Sequence, residues 1–280
     1  MNLYSVNTGY FKLDGGAMFG VVPKSIWSKS NAADENNLCS WAMRCLLIED
    51  GNRLILIDNG MGDKQDAKFF SHYYLHGNDN LDRSLAKYGF YRDDITDVLL
   101  THLHFDHCGG SITRQGDQLV PAFKNAVFLS NEDHWKWATE PNDREKASFL
   151  KENIIPIKES GQLKMIETQE GVSFGNDITI RFAFGHTDAM MLPQISYKGK
   201  QIVFMADLLP SIGHIPIPYI MAYDTRPLVS MKEKKDFLQE AVTNDYLLFF
   251  EHDPINECCT LQETEKGIRH KDLFRLEDVN

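Results

Sequence analysis

Three of the ten histidines in this chain fall within one six-residue stretch, His102-Leu103-His104-Phe105-Asp106-His107, which is more clustering than scattered solvated histidines would give. On an extended backbone the side chains at 102, 104 and 106 share one side, and a turn after Asp106 brings His107 round to the same cavity. Imidazole nitrogens and a carboxylate suit divalent zinc, manganese, iron or cobalt, and having both kinds allows two neighbouring ions of different coordination. Closed structural zinc sites lean on cysteine thiolates. This mixture is instead that of a site with an open coordination position. Cys108-Gly109-Gly110 follows at once, and its glycines permit a tight turn into a helix whose N-terminal end would face a hydroxide or carboxylate.

Such a cluster needs a strand to deliver it, and Ile95-Thr96-Asp97-Val98-Leu99-Leu100 reads as one. Before it, residues 40–49 and 53–58 read as two strands around an Asp50-Gly51-Asn52 turn, running into the glycine-rich Asn59-Gly60-Met61-Gly62. Residues 64–89 are polar, aromatic and poor in β-branched residues, which predicts one or two helices. Further strands are expected at 126–129, 177–184, 194–197, 201–205 and 246–250, with helices near 131–139 and 228–243. Strands and helices interleave throughout, so the class is α/β or α+β with helices covering sheets. No repeat, low-complexity tract or linker divides the 280 residues, and a single domain spanning 1–280 with its core at 40–255 is expected.

The net charge of −11 and the absence of any Lys/Arg-rich run argue against nucleic acid as substrate. The first ten residues carry no basic n-region or apolar h-region, and no segment approaches eighteen consecutive apolar residues. A cytoplasmic protein without a membrane partner is the expectation. Its five cysteines are an odd number, and Cys258 and Cys259 are vicinal, so reduced buried thiols are expected.

With its H-x-H-x-D-H motif at the end of a strand, the chain resembles the metallo-β-lactamase superfamily of metal-dependent hydrolases, and further landmarks match in order. Gly185-His186-Thr187 ends the strand 178–184, Asp207 follows 202–206, and His252 follows Phe249-Phe250-Glu251. Leu56-Ile57-Asp58-Asn59-Gly60 looks like the family's strand-turn element. The resemblance covers roughly 40–255 and implies a four-layer αββα sandwich, two mixed β-sheets flanked by helices. It also implies two divalent ions, zinc foremost, with manganese, iron or cobalt compatible. His102, His104 and His186 would hold one ion, Asp106, His107 and His252 the other, with Asp207 bridging. Asp207 and His252 follow apolar runs, where an unpaired buried charge would be costly, so a metal partner accounts for both. Asp58 is read either as a turn cap or as a hydrogen-bond partner of a ligand.

The implied chemistry is hydrolysis by a hydroxide bridging the two metals. One metal takes the developing oxyanion, the other receives the leaving alkoxide, and Asp106 orients the nucleophile or relays its proton. The stretch from Asp207 through His214 to Met221-Ala222-Tyr223-Asp224 looks like the branch holding quorum-quenching N-acyl-homoserine lactonases and the phosphotriesterases related to methyl parathion hydrolase. The resemblance therefore implies a small-molecule lactone or related ester as substrate, with phosphotriesters or aryl esters as the alternative. From another class, a metal-dependent binding or sensor protein would keep the site without turnover. Phe105, Met190 and Met191 either line an acyl or aryl pocket or pack the core. His214 and Tyr223 either donate hydrogen bonds to the substrate, in a catalytic role beside Asp106 and Asp207, or stabilise turns. One departure stands out: many lactonases carry Gly-His-Thr-Pro-Gly-His, whereas Gly185-His186-Thr187 is followed by Asp188-Ala189-Met190. Residues 10–38 are expected as a flap over the metals or the arm of a homodimer, and 256–280 as a surface tail or short helix without chemical role.

Overall fold

A computed structural model of the chain describes residues 1–279. In chain order, β1 (Asn2–Asp14) leads through the short helices α1 (Gly15–Phe19) and α2 (Lys24–Trp27) into β2 (Leu38–Asp50) and β3 (Arg53–Ile57). Helices α3 (Ala67–Ser71) and α4 (Leu81–Ala86) precede β4 (Asp97–Leu99), and α5 (Phe105–Cys108) is the single turn that follows. A hairpin of β5 (Ile112–Gln115) and β6 (Gln118–Pro121) is succeeded by β7 (Val127–Asn131), α6 (Glu132–Thr139), α7 (Lys151–Glu159) and β8 (Leu163–Ile166). Then come β9 (Val172–Ser173), β10 (Ile178–Ala183), β11 (Met190–Tyr197) and β12 (Lys200–Phe204), before α8 (Pro227–Thr243) and β13 (Leu247–Phe249). Strands β14 (Cys258–Thr264) and β15 (Gly267–Phe274) complete the order.

These elements form two compact units, each discontinuous in sequence: Met1–Tyr10 with Met43–Thr168, and Phe11–Ala42 with the chain from Gln169 onward. The larger sheets are mixed and ordered β1-β2-β3-β4-β7-β8 and β15-β14-β13-β12-β11-β10-β9, as the expected fold class requires. In the first unit, β3, β4, β7 and β8 run parallel, so the turns after Ile57 and Leu99, which pair in register, leave the same end of the sheet. The underlying core joins Leu47, Leu56, Val98, Phe128, Ile154 and Ile157, all almost wholly buried. Each contributes about 1.5–3 kcal/mol of transfer free energy.

In the second unit β12 and β13 are parallel with Phe204 opposite Phe249, so Asp207 and His252 each lie three residues beyond a paired position. Strand β10 runs antiparallel to β11 and β11 to β12, which brings the end of β10, and hence His186, to that same edge. Helix α8 buries Ser230, Lys234, Phe237, Leu238 and Ala241, the stripe that 3.6-residue periodicity demands.

Three expectations need correction. The segment 256–280 is not a tail: β14 and β15 form a hairpin added to β13, anchored by the buried Cys258 and Cys259. Its outer residues are polar because the hairpin is one edge of the sheet, which concealed the strand pattern. The fold also begins before residue 40, since β1 is an edge strand of the first sheet. Within residues 10–38, Phe19 and Trp27 are buried and stacked, with ring centroids 5.2 Å apart. Finally, the helical turn α5 starts at Phe105, before the glycines instead of after them. Gly109 and Gly110 serve close packing, because a Cβ would lie 2.1 Å from the Met61 carbonyl oxygen and 2.3 Å from that of Asn59. All five cysteines are buried and outside disulfides, and no helix among the described residues is long and apolar enough to cross a membrane.

Candidate metal centre

Asp58 organises the histidine cluster of the first unit. It follows β3 with a positive φ of 56°, a conformation that costs on the order of 1–3 kcal/mol in a residue other than glycine. In return its carboxylate accepts from the Thr101 amide (2.8 Å), the Thr101 hydroxyl (2.6 Å) and His107 Nδ1 (3.1 Å). It therefore serves as a hydrogen-bond partner of His107 and ties the end of β3 to Thr101, 43 residues on.

The Thr101 hydroxyl, having donated to Asp58, can accept from His102 Nδ1 at 3.1 Å. His102 Nε2 then faces His104 Nδ1, also at 3.1 Å, and His104 Nε2 meets Glu145 Oε1 at 3.1 Å. His107 Nε2 points to Asp106 Oδ2 at 3.8 Å. The peptide between the first two histidines is fixed by His134, whose Nε2 accepts from the Leu103 amide at 2.8 Å. His134 is itself placed by the cap of α6, where the Asn131 side chain accepts its amide.

Asp207 organises the second unit. It lies in the 3-10 turn Ala206–Leu208, directly after Ala206 with its φ of 40°, so here the strained residue is the neighbour of the buried carboxylate. One Asp207 oxygen faces His186 Nε2 at 3.1 Å and the other faces His252 Nε2 at 3.0 Å. Behind them, His186 Nδ1 meets Asp224 at 2.9 Å and His252 Nδ1 donates to the Ala42 carbonyl at 2.7 Å. Burial alone would push the His186 pKa down, but the charges of Asp207 and Asp224 pull it up to about 10. The pair of carboxylates thus demands positive charge at this spot.

The loop before His186 is pressed against α8: a Cβ on Gly185 would lie 2.2 Å from the Ser230 amide nitrogen, and Glu233 accepts from the amides of Phe184 and Gly185.

His102, His104, Asp106 and His107 are thus brought together in one unit, and His186, Asp207 and His252 in the other. All seven are buried. His214 is 1% exposed, stacked on Phe19 at 4.5 Å, with Nε2 meeting the Met18 carbonyl and Nδ1 the Ser211 hydroxyl, each at 2.9 Å. Both ring nitrogens are thus engaged by groups of the same unit. Tyr223, by contrast, is 39% exposed. Met190 and Met191 are wholly buried in β11, whereas Phe105 packs on Tyr73 (4.7 Å) and Phe69 (5.4 Å). The sequence reading passed over Thr101, Tyr73, His134, Glu145 and Asp224. Tyr73 left a trace in the aromatic character of 64–89, and burial followed by the charge of Asp106 pushes its phenol up to about 12. Glu145 belongs to no motif, and Asp224 closes the stretch Met221-Ala222-Tyr223-Asp224 without a signal that it partners His186.

Residues 44–252 match the Metallo-beta-lactamase superfamily domain. The chain belongs to that superfamily. A probable metal-dependent hydrolase from Staphylococcus aureus superposes with a TM-score of 0.89 at 28% identity, covering 100% of this chain and 98% of that one. AidC, a dizinc quorum-quenching lactonase solved with a product N-hexanoyl-homoserine, superposes at a TM-score of 0.80 and 21% identity over 96% and 93% of the two chains. An N-acyl homoserine lactonase from Bacillus thuringiensis is 24% identical over 139 residues, 46% of this chain. The chain matches half the length of that relative, 50%. The donor chemistry found here fits the superfamily's divalent metals. Each of the five histidines among the candidate ligands has one ring nitrogen tied to an oxygen acceptor and the other turned to a second ligand-type side chain, as metal-bound histidines require.

Proposed function

We propose that the chain is a metal-dependent hydrolase that opens a lactone of the N-acyl-homoserine type or a related ester. In this reading His102, His104 and His186 hold one divalent ion and Asp106, His107 and His252 a second, with Asp207 shared. The observation that carries it is Asp207, whose two oxygens are each directed at a different imidazole, the division that a carboxylate shared by two ions needs. The substrate class is supported by the lactonases among the chain's relatives.

Two bound ions would supply an acidified water and an electrophile for the substrate's carbonyl oxygen. The chain's own groups do the rest. Asp106, whose side chain keeps 12% exposure, takes up the proton of the attacking water and passes it to the leaving alkoxide. Tyr223 presents its phenol as a hydrogen-bond donor to the substrate, and Phe105, Tyr73 and Phe69 form an apolar wall that excludes water from an acyl or aryl group.

Proton release on adding N-acyl-homoserine lactones of graded chain length to zinc- or manganese-loaded protein tests the reading, with Asp207→Ala as blank. Release that depends on Asp207 supports it. Silence toward lactones with turnover of aryl esters or phosphotriesters would move the substrate and keep the mechanism. Metal-loaded protein inert to all three would leave a binding or sensor protein.

A further inference from the structure

Four of the five clustered histidines are tied through Nδ1: His102 to Thr101, His107 to Asp58, His186 to Asp224 and His252 to the Ala42 carbonyl. His104 is reversed. Its Nδ1 is the nitrogen turned to a fellow ligand, and its Nε2 lies 3.1 Å from Glu145 Oε1. An imidazole that must offer Nδ1 needs its proton on Nε2, and an acceptor behind Nε2 selects that tautomer.

Glu145 is built to be that acceptor. It is 2% exposed, and its second oxygen accepts from Trp137 Nε1 at 2.6 Å and Asn142 Nδ2 at 2.9 Å, so charge-assisted bonds satisfy the carboxylate on both sides. The main chain holds it as firmly. The Glu145 amide donates to Asn142 Oδ1 (3.1 Å), its carbonyl accepts from the Ser148 amide (2.7 Å), and the Ser148 carbonyl accepts from the Phe105 amide (3.0 Å). The loop 142–148 is thereby latched to the two residues 104–105 through a side chain and the backbone together. Phe149 packs its ring 4.8 Å from that of His104 and shields the contact.

We infer that Glu145 is a positioning residue that makes His104 a ligand through Nδ1 and, as a buried anion behind the ring, strengthens its hold on the ion. This rests on the reading that His104 is a metal ligand. Glu145 touches neither the ion nor the substrate, so its effect is on metal retention and on the geometry of the ion.

The test uses cobalt(II) as the probe, titrated into the metal-free full chain in competition with a chelator. Glu145→Gln keeps an oxygen acceptor but removes the charge, and it is expected to weaken cobalt(II) binding roughly tenfold to a hundredfold and to shift the visible absorption of the bound ion. Trp137→Phe removes a donor to Glu145 while leaving the His104 contact, and is expected to bind with nearly unchanged affinity and spectrum. A Glu145→Gln protein with wild-type affinity and spectrum overturns the inference, and so does a Trp137→Phe protein that loses as much as Glu145→Gln, because the effect would then be general loosening. One measurement needs no variant. Long-range 15N–1H spectra of the metal-free wild type are expected to show His104 protonated on Nε2, and an Nδ1-protonated ring would sink the inference. Wild-type protein that binds no cobalt(II) at all would overturn the metal reading itself, a result distinguishable from the others.

Discussion

At the scale of single residues, buried polar groups decide what this chain can do. Asp58 and Asp207 each sit beside strained backbone, and the strain of a few kcal/mol is offset by the hydrogen bonds each makes and by the apolar strands that hold it in place. His214 shows the opposite use of a histidine. Burial, only partly offset by the Met18 carbonyl, pushes its pKa from 6.5 down to about 3. Below about pH 6.5 the unfolded chain therefore binds a proton that the folded ring refuses until about pH 3, and stability is lost on acidification through that window. The slope from this one group reaches about 1.4 kcal/mol per pH unit. His214→Gln is expected to flatten the fall of the denaturant midpoint between roughly pH 6 and pH 4. A variant whose curve runs parallel to wild type would place that pH dependence elsewhere. Activity of Asp207→Ala assayed with added zinc, expected to vanish with the fold retained, is the companion prediction, checked by the lactone assay and circular dichroism.

At the scale of elements, helix α8 works through one buried lysine. Lys234 is wholly buried, and its Nζ donates to the carbonyls of His214 (2.9 Å), Pro216 (3.1 Å) and Tyr219 (2.8 Å). It thus gathers the irregular chain that leads from Asp207 toward Tyr223 onto the helix. Lys234→Met keeps the apolar stem and strands those three carbonyls. The expected loss is about 3 kcal/mol in denaturant unfolding, with faster amide exchange confined first to 212–222. Uniform exchange over the whole chain would show that Lys234 holds the fold generally and not this loop.

At the scale of the whole molecule, the proposed ions belong to the folded state alone, so they stabilise it by mass action, by about 4 kcal/mol when free metal is a thousandfold above Kd. Chelation is expected to lower the unfolding temperature of the wild type and to be reversed by adding zinc back, while Asp207→Ala responds little. An unfolding temperature indifferent to chelator would count against a resident metal.

The sequence alone determined the class of the fold, and its resemblance to the superfamily supplied the seven candidate ligands. The fold class rests on local signals, since apolar runs ended by glycine, asparagine or aspartate make strands, and the resemblance starts from one six-residue motif that concentrates ligand chemistry few folds deliver. It also fixed the order of His186, Asp207 and His252 after their strands. What only the tertiary structure decided is the environment of those ligands. Glu145 lies 41 residues from His104 and Asp224 lies 38 from His186, and no local pattern ties such pairs together. The same holds for His214, whose role depends on Phe19 and on a Met18 carbonyl 196 residues away. The polar edge hairpin 258–274 was unreadable because an edge strand buries little, and pairing with β13, not composition, makes it a strand. The candidate ligands can be picked out by residue type and spacing. Tautomer, strain and the placement of backing charges are set by which distant segments the sheets bring to the same edge.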